Sequence, residues 1–215
     1  MSSFDSQENV LNRLNKLIPN FDLIVDAGAA VGTWSQLAHK IWPGVEILAI
    51  EPQPNFVKKL ISTKAAKYVR ECVISDTCGQ ISFDITEDGW SSSLLYAGDS
   101  RIQTEAHTLE CIFDDLKLGF EKVFVKTDLQ GHDFISFQSI GKYLKYVNVV
   151  QMECQITPYA PRMTGLSERI TDMANLGFEV YEIFEPLYRP SDSALGQVDV
   201  IFLRGNAGSP WNFKW

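Results

Sequence analysis

Short apolar runs separated by amphipathic stretches most narrow what this chain can fold into. Residues 21–26 (FDLIVD), 45–51 (VEILAIE), 68–75, 122–128 (KVFVKTD) and 146–153 are short enough for strands and apolar enough for burial on both faces. Between them, residues 7–17, 33–42, 54–63, 133–143 and 166–176 read as helices. Val10, Leu11, Leu14 and Leu17 show the helical spacing in the first. This alternation predicts a doubly wound α/β fold, a mostly parallel Rossmann-like sheet covered by helices on both faces. Residues 80–85 alternate as an antiparallel strand does, and residues 90–110 read as mixed, Ser-rich and partly loop. Residues 178–184 and 198–204 predict an antiparallel edge pair at the C-terminus, separated by EPLYRPSDSALG. A chain of 215 residues suits a single domain over 1–215, with inserted strands and loop at about 79–110.

Composition narrows the partners. A net charge of −8 lacks the basic excess that duplex nucleic acid demands. No run approaches the roughly 20 apolar residues of a membrane span. The polar, acidic start MSSFDSQENV resembles neither a signal peptide nor a transit peptide. Cys72, Cys78, Cys111 and Cys154 show no metal-ligand or redox-pair spacing. The expectation is a cytoplasmic protein with reduced thiols. The aromatic tail, WNFKW at 211–215, would dock on its own domain or on a partner, which leaves a homo-oligomer open.

The loop after the first strand, DAGAAVG, carries the clearest chemistry. Gly28 permits a sharp turn and the approach of a ligand to the backbone, and Gly32 lets the helix start lie close to the strand. A dinucleotide loop would be G-x-G-x-x-G with bare amides facing a pyrophosphate. Here the middle glycine is absent, and Asp26 would repel phosphate while suiting a cationic amino acid moiety. The loop therefore points to S-adenosylmethionine (SAM). Glu51, at the end of the second strand, stands where a ribose diol is held. Ser75 and Asp76, after the third strand, stand where an adenine edge would be met. A NAD(P)-dependent oxidoreductase and a non-catalytic SAM-binding domain are the alternatives.

Seven segments, in order, resemble the FkbM-type SAM-dependent methyltransferases: IVDAGAAVGTWS, AIEPQP, CVISDTCGQISF, SSSLLY, LECIFDDL, VFVKTDLQGHDF and VDVIFLR. The resemblance implies methyl transfer from SAM, usually onto a hydroxyl of a sugar or secondary metabolite. The chain departs from the family's pattern at Thr127, Asp133 and Glu110.

Within KTDLQGHD, Asp128 ends a strand and His132 lies near the next helix N-terminus, which disfavours the imidazolium. A neutral imidazole there can take the acceptor's hydroxyl proton, so His132 is the first candidate base and Asp128 the second. Lys126 would pair with a nearby carboxylate or support the sheet end. Asp128 and Glu153, on neighbouring strands, could share Mg²⁺. The reading in which Glu153 orients loops or meets the acceptor is preferred. Ser92 and Ser93 would shape the pocket of a small-molecule acceptor, and Arg162 would meet an anionic one.

Overall fold

The computed structural model describes residues 6–205 apart from 88, 90–93, 95–97, 118 and 159–162. Ser92, Ser93, Arg162 and the aromatic tail lie outside the described residues.

Helix α1 (Gln7–Leu17) starts at Ser6, whose hydroxyl accepts from the Asn9 amide. Strand β1 (Leu23–Ala27), α2 (Thr33–Ile41), β2 (Glu46–Ile50), α3 (Pro54–Thr63) and β3 (Tyr68–Arg70) follow in the expected order. Pro54 opens α3, where its missing N–H costs nothing. After β4 (Val73–Ile74), β5 (Gly79–Ile85), β6 (Ser100–His107) and α4 (Leu109–Leu116), the α/β alternation resumes. It runs through β7 (Val123–Thr127), α5 (Asp133–Gln138), β8 (Val147–Gln155), α6 (Leu166–Asn175), β9 (Phe178–Tyr188) and β10 (Leu195–Arg204).

The described residues form a seven-stranded sheet ordered β3-β2-β1-β7-β8-β10-β9. Only β10 breaks the parallel run, pairing antiparallel with β8 and β9. Period-two alternation sorts the strand residues between two faces. Leu23, Val25, Val123 and Val125 pack with Leu109, Phe113, Phe137 and Met173 of α4, α5 and α6. Ile24, Ile47 and Phe124 pack with Leu11 and Leu14 of α1 and Trp34 and Ala38 of α2. The winding reverses between β1 and β7, so their C-terminal ends flank the crevice where such sheets bind ligands.

Three expectations change and a fourth is refined. The predicted strand over 68–75 is two pieces. β3 pairs with β2, and β4 leaves for a three-stranded sheet ordered β4-β6-β5. Residues 90–110, read as mixed and partly loop, gain definition: β6 pairs antiparallel with β5 and α4 follows at once. The signal in β6 is faint: Ile102, Thr104 and Ala106 alternate inward between polar residues, and only a small cluster of Val73, Phe83 and Ala106 is buried beneath them. The helix expected over 133–143 stops at Gln138 and resumes as a 3₁₀ turn, Gly141–Tyr146. Gly141 has φ +52°, and a Cβ there would collide with the Glu110 carboxylate. Finally, the edge pair is longer than expected: Leu195 faces Tyr188, and bulges absorb the irregular stretch.

Gly28 and Gly32 serve contacts within the protein. At φ +75°, a Gly28 Cβ would lie 2.0 Å from the Asp128 carbonyl oxygen. Gly28 is therefore required by the close approach of β7's end as well as by the turn. Gly32, at φ +87°, makes room for Leu60 of α3, 2.7 Å from a Cβ, rather than for a strand. Gly28→Ala is expected to destabilise the protein by about 2–4 kcal/mol, because rigid backbone cannot move aside. Gly32→Ala, which meets a flexible leucine tip, should cost less, about 1–2 kcal/mol. Urea unfolding of both variants tests the order, and a Gly28→Ala protein of parental stability contradicts it.

Candidate active site

A cavity of about 350 Å³ opens where β1, β2 and β7 end. Its floor is the glycine loop, in which Ala30 adopts φ +45° beside the two glycines. A left-handed alanine carries strain that surrounding contacts must hold in place. Those contacts are visible. The Gly28 and Ala29 amides both donate to the Ile50 carbonyl at 3.0 Å, and Gly32 donates to Ala29 at 2.8 Å. The Ala30 amide donates to Glu51 Oε2 at 3.0 Å. These four amides are bonded inward, whereas a pyrophosphate cradle would leave them facing the ligand.

Beneath the loop lies a polar row crossing the sheet. Asp26 pairs in register with Lys126, and Lys126 with Gln151. Asp26 is fully buried and takes a 2.6 Å hydrogen bond from the Ser35 hydroxyl. Lys126 Nζ stands 3.1 Å from Asp26 Oδ1, and it donates to the Gly28 carbonyl at 3.1 Å. Burial works against the ammonium, but Asp26 and Asp128 outweigh it and hold the Lys126 pKa above its ordinary value. The row ends where Trp34 Nε1 donates to Gln151 Oε1 and Gln151 Nε2 donates to Asp199 Oδ2 at 2.7 Å.

Carboxyl groups dominate the rest of the wall. Burial pushes Glu51 up to about 7, against the pull of the Gln53 and Ala30 amides that it accepts. Burial likewise pushes Asp199 up to about 6, and burial followed by repulsion from Asp128 raises Glu153 well above the ordinary range. Glu153 accepts from Gln155 at 2.7 Å and from Gln197 at 2.8 Å, one on each oxygen. Asp128 is the exposed member, 3.6 Å from Lys126 Nζ. His132 lines the same cavity, and neither ring nitrogen has a hydrogen-bond partner. Burial lowers its pKa, with Asp76 acting in the opposite direction. The turn before it contains two left-handed residues, Gln130 at φ +53° and Gly131 at φ +92°. Asp133 ties that turn together, accepting from the Leu129 and Gly131 amides at 3.1 Å each.

The pattern of the methyltransferase FkbM domain matches residues 26–180. This chain belongs to the FkbM methyltransferase family. No curated protein matches its sequence. Among solved structures, it is similar to magnesium protoporphyrin IX methyltransferase from Synechocystis PCC 6803 with bound SAM. That likeness has 11% identity and a TM-score of 0.52, covering 92% of this chain and 77% of that one. TehB from Haemophilus influenzae matches with 8% identity and a TM-score of 0.51, covering 91% and 62%. At these identities the likeness is one of fold.

In this FkbM methyltransferase, the cavity gathers Gly28, Glu51, Asp128, His132 and Glu153 from the residues singled out in the sequence. It does not gather all of them. Asp26, expected to suit a cationic group, lies behind the loop against Lys126 and Ser35 and is not among the cavity-lining residues. Gly32 faces α3, as above. Neither Ser75 nor Asp76 lines the cavity, although the adjoining Cys72, Val73 and Ile74 do. Ser75 donates to Asp76 at 3.2 Å, and Asp76 is exposed. His132 is the N-cap residue of the six-residue α5, and burial lowers its pKa. Among the described residues, no group of three or more His, Cys, Asp or Glu is arranged to hold a metal ion. Lys126, Trp34 and Asp199 are cavity residues whose roles the sequence left open or missed. For Lys126 and Asp199 the signal was cross-strand register, and for Trp34 the packing of α2 on the sheet, neither of which a local pattern carries. No helix among the described residues is long and apolar enough to cross a membrane.

Two outcomes follow from these charges. Lys126→Met should cost about 3–5 kcal/mol, because it leaves Asp26 charged and unpaired in the interior. Adding Asp26→Asn should recover part of that loss in a double-mutant cycle, and strict additivity would rule out the pairing. The raised carboxyls make stability depend on pH. In the folded chain, Glu51 and Asp199 hold protons to about 7 and about 6, whereas the unfolded chain releases them near pH 4. Their contribution is complete below about pH 4 and disappears as pH rises through 6–7. His132, with its lowered pKa, works in the opposite sense around its own titration. The ligand-free protein should therefore lose stability from pH 5 to 8, and Glu51→Gln should flatten the decline. A parental stability that rises over this range would contradict the assignment.

Proposed function

We propose that this chain is a SAM-dependent O-methyltransferase acting on a hydroxyl of a small acceptor, a sugar or secondary metabolite, with residues 1–215 as one domain. The observation that carries the reading is an unpartnered, buried imidazole, His132, in the same cavity as Glu51 and the inward-bonded glycine loop. The loop argues against the dinucleotide alternative, because four of its amides are already taken. The free imidazole argues against a purely non-catalytic binding domain.

Bound SAM would supply the electrophilic methyl group. Glu51 would hold the ribose hydroxyls. Hydrogen bonds from them favour its ionised form, against the burial that raises its pKa. Asp128, exposed at the end of β7, would face the cationic end. In this role it takes the place expected of Asp26. His132 takes the acceptor's hydroxyl proton as the oxygen attacks. Its lowered pKa keeps the ring neutral near pH 7, so both nitrogens are not already protonated. Asp128 orients the acceptor or the imidazole. Glu153, held by two glutamine amides, shapes the acceptor side without Mg²⁺.

Transfer from methyl-labelled SAM to a library of hydroxylated metabolites tests the activity. With the acceptor found, His132→Ala should lower kcat by about 10²–10⁴ and leave SAM affinity nearly unchanged. Glu51→Ala should instead weaken SAM binding, read by calorimetry. Near-parental kcat in His132→Ala would pass the proton to Asp128 or to an already ionised nucleophile. Binding of NAD in place of SAM would overturn the cofactor.

A further inference from the structure

Cys78 and Cys111 are 33 residues apart in sequence, yet their sulfurs are hydrogen-bonded to each other at 3.0 Å. Two independent anchors bring them together. Gly79, next to Cys78, pairs with Ala106 on one side of β6, and β4 pairs with Ala106 and His107 on the other. Thr108 then caps α4 by accepting from the Cys111 amide at 3.0 Å, which fixes that cysteine in the helix's first turn. Cys78 is exposed and Cys111 half-buried, so an oxidant can reach the pair. The other two thiols are buried. Burial pushes Cys72 up to about 12 and Cys154 higher still, which leaves them inert. Cys78 shifts the other way, acidified by its hydrogen bond with Cys111 and by the Thr108 backbone.

We propose that Cys78 and Cys111 are a redox modification site, forming a reversible intrachain disulfide when the protein meets a hydroperoxide. The Cys78 thiolate attacks one peroxide oxygen, the O–O bond breaks, and the departing hydroxide takes a proton to become water. Cys78 is then a sulfenic acid. The Cys111 sulfur attacks it, the S–O bond breaks, and the sulfenic oxygen leaves as water with the Cys111 proton. In sum, two thiols lose two electrons and two protons, and one hydrogen peroxide becomes two waters. The bond closes a loop around the β5–β6 hairpin. Phe83 on that hairpin, with Gly89 and Leu94 of its connection, lines the cavity. Oxidation thus staples to α4 the base of the element that covers the site.

The test uses the whole chain, treated with hydrogen peroxide and mapped without reduction after alkylation. Tryptic cleavage after Arg101 separates the two cysteines. The expected product is a cross-linked peptide pair joined through Cys78 and Cys111, two mass units lighter than the sum of its parts and lost on adding dithiothreitol. The Tm of the oxidised protein should rise by about 5–10 °C, as for a native link across a loop of this length. Cys111→Ser should trap a sulfenic acid at Cys78 that reacts with dimedone, and Cys78→Ser should leave Cys111 unoxidised. If Cys78→Ser fails to fold, the parental map and Cys111→Ser still decide. Alkylation of both Cys78 and Cys111 after peroxide, or a link between chains instead of within one, would overturn the proposal.

Discussion

The Asp26–Lys126 ion pair is the constraint on which the site depends. It joins the ends of two adjacent parallel strands, β1 and β7, at the point where the sheet reverses its winding. Two charges removed from water are tolerated only when paired and further hydrogen-bonded. Ser35 satisfies the carboxylate from α2, and the Gly28 carbonyl satisfies the ammonium from the loop. The pair therefore fixes a helix, two strands and the glycine loop together. The close approach of Gly28 to the Asp128 carbonyl is a consequence of this packing, and only glycine allows it.

Above that foundation the cavity combines one buried cation with several carboxyl groups. Lys126 stays charged, while Glu51, Glu153 and Asp199 are pushed toward their neutral forms by burial. Asp128 is the exposed carboxylate beside Lys126, and His132 the residue with unpartnered ring nitrogens. The division of labour comes from exposure: chemically similar acids acquire different proton affinities according to how much water they keep.

Much of this was legible in the sequence. The pattern over 7–17 coincides with α1, the apolar runs ending at Glu51 and Asp128 bracket β2 and β7, and the run ending at Asp26 covers β1 but for Ala27. Glu51 lines the cavity because strand ends in a doubly wound sheet all point to one crevice. Asp26 does not line it, since alternation tells which face a residue takes but not what waits there. On its face lay Lys126 and Ser35, which claimed the carboxylate. The second sheet was legible at residues 80–85 only, because its other strands, β4 and β6, bury few apolar side chains. The short range of α5 escaped because Gly141 gives way to Glu110, a residue far along the chain.

The alternation of apolar runs by itself determined the α/β order, the glycine turn after the first strand and the acid after the second. Those are local properties, set by periodicity and by what glycine and carboxylate can do at a strand end. Tertiary structure alone decided which carboxylate faces the cavity, which groups hold their protons, and that Cys78 touches Cys111. Each of these depends on neighbours contributed by distant strands and helices. Desolvation and Coulomb interactions act through space, so their sign at any residue is unknown until the chain has folded.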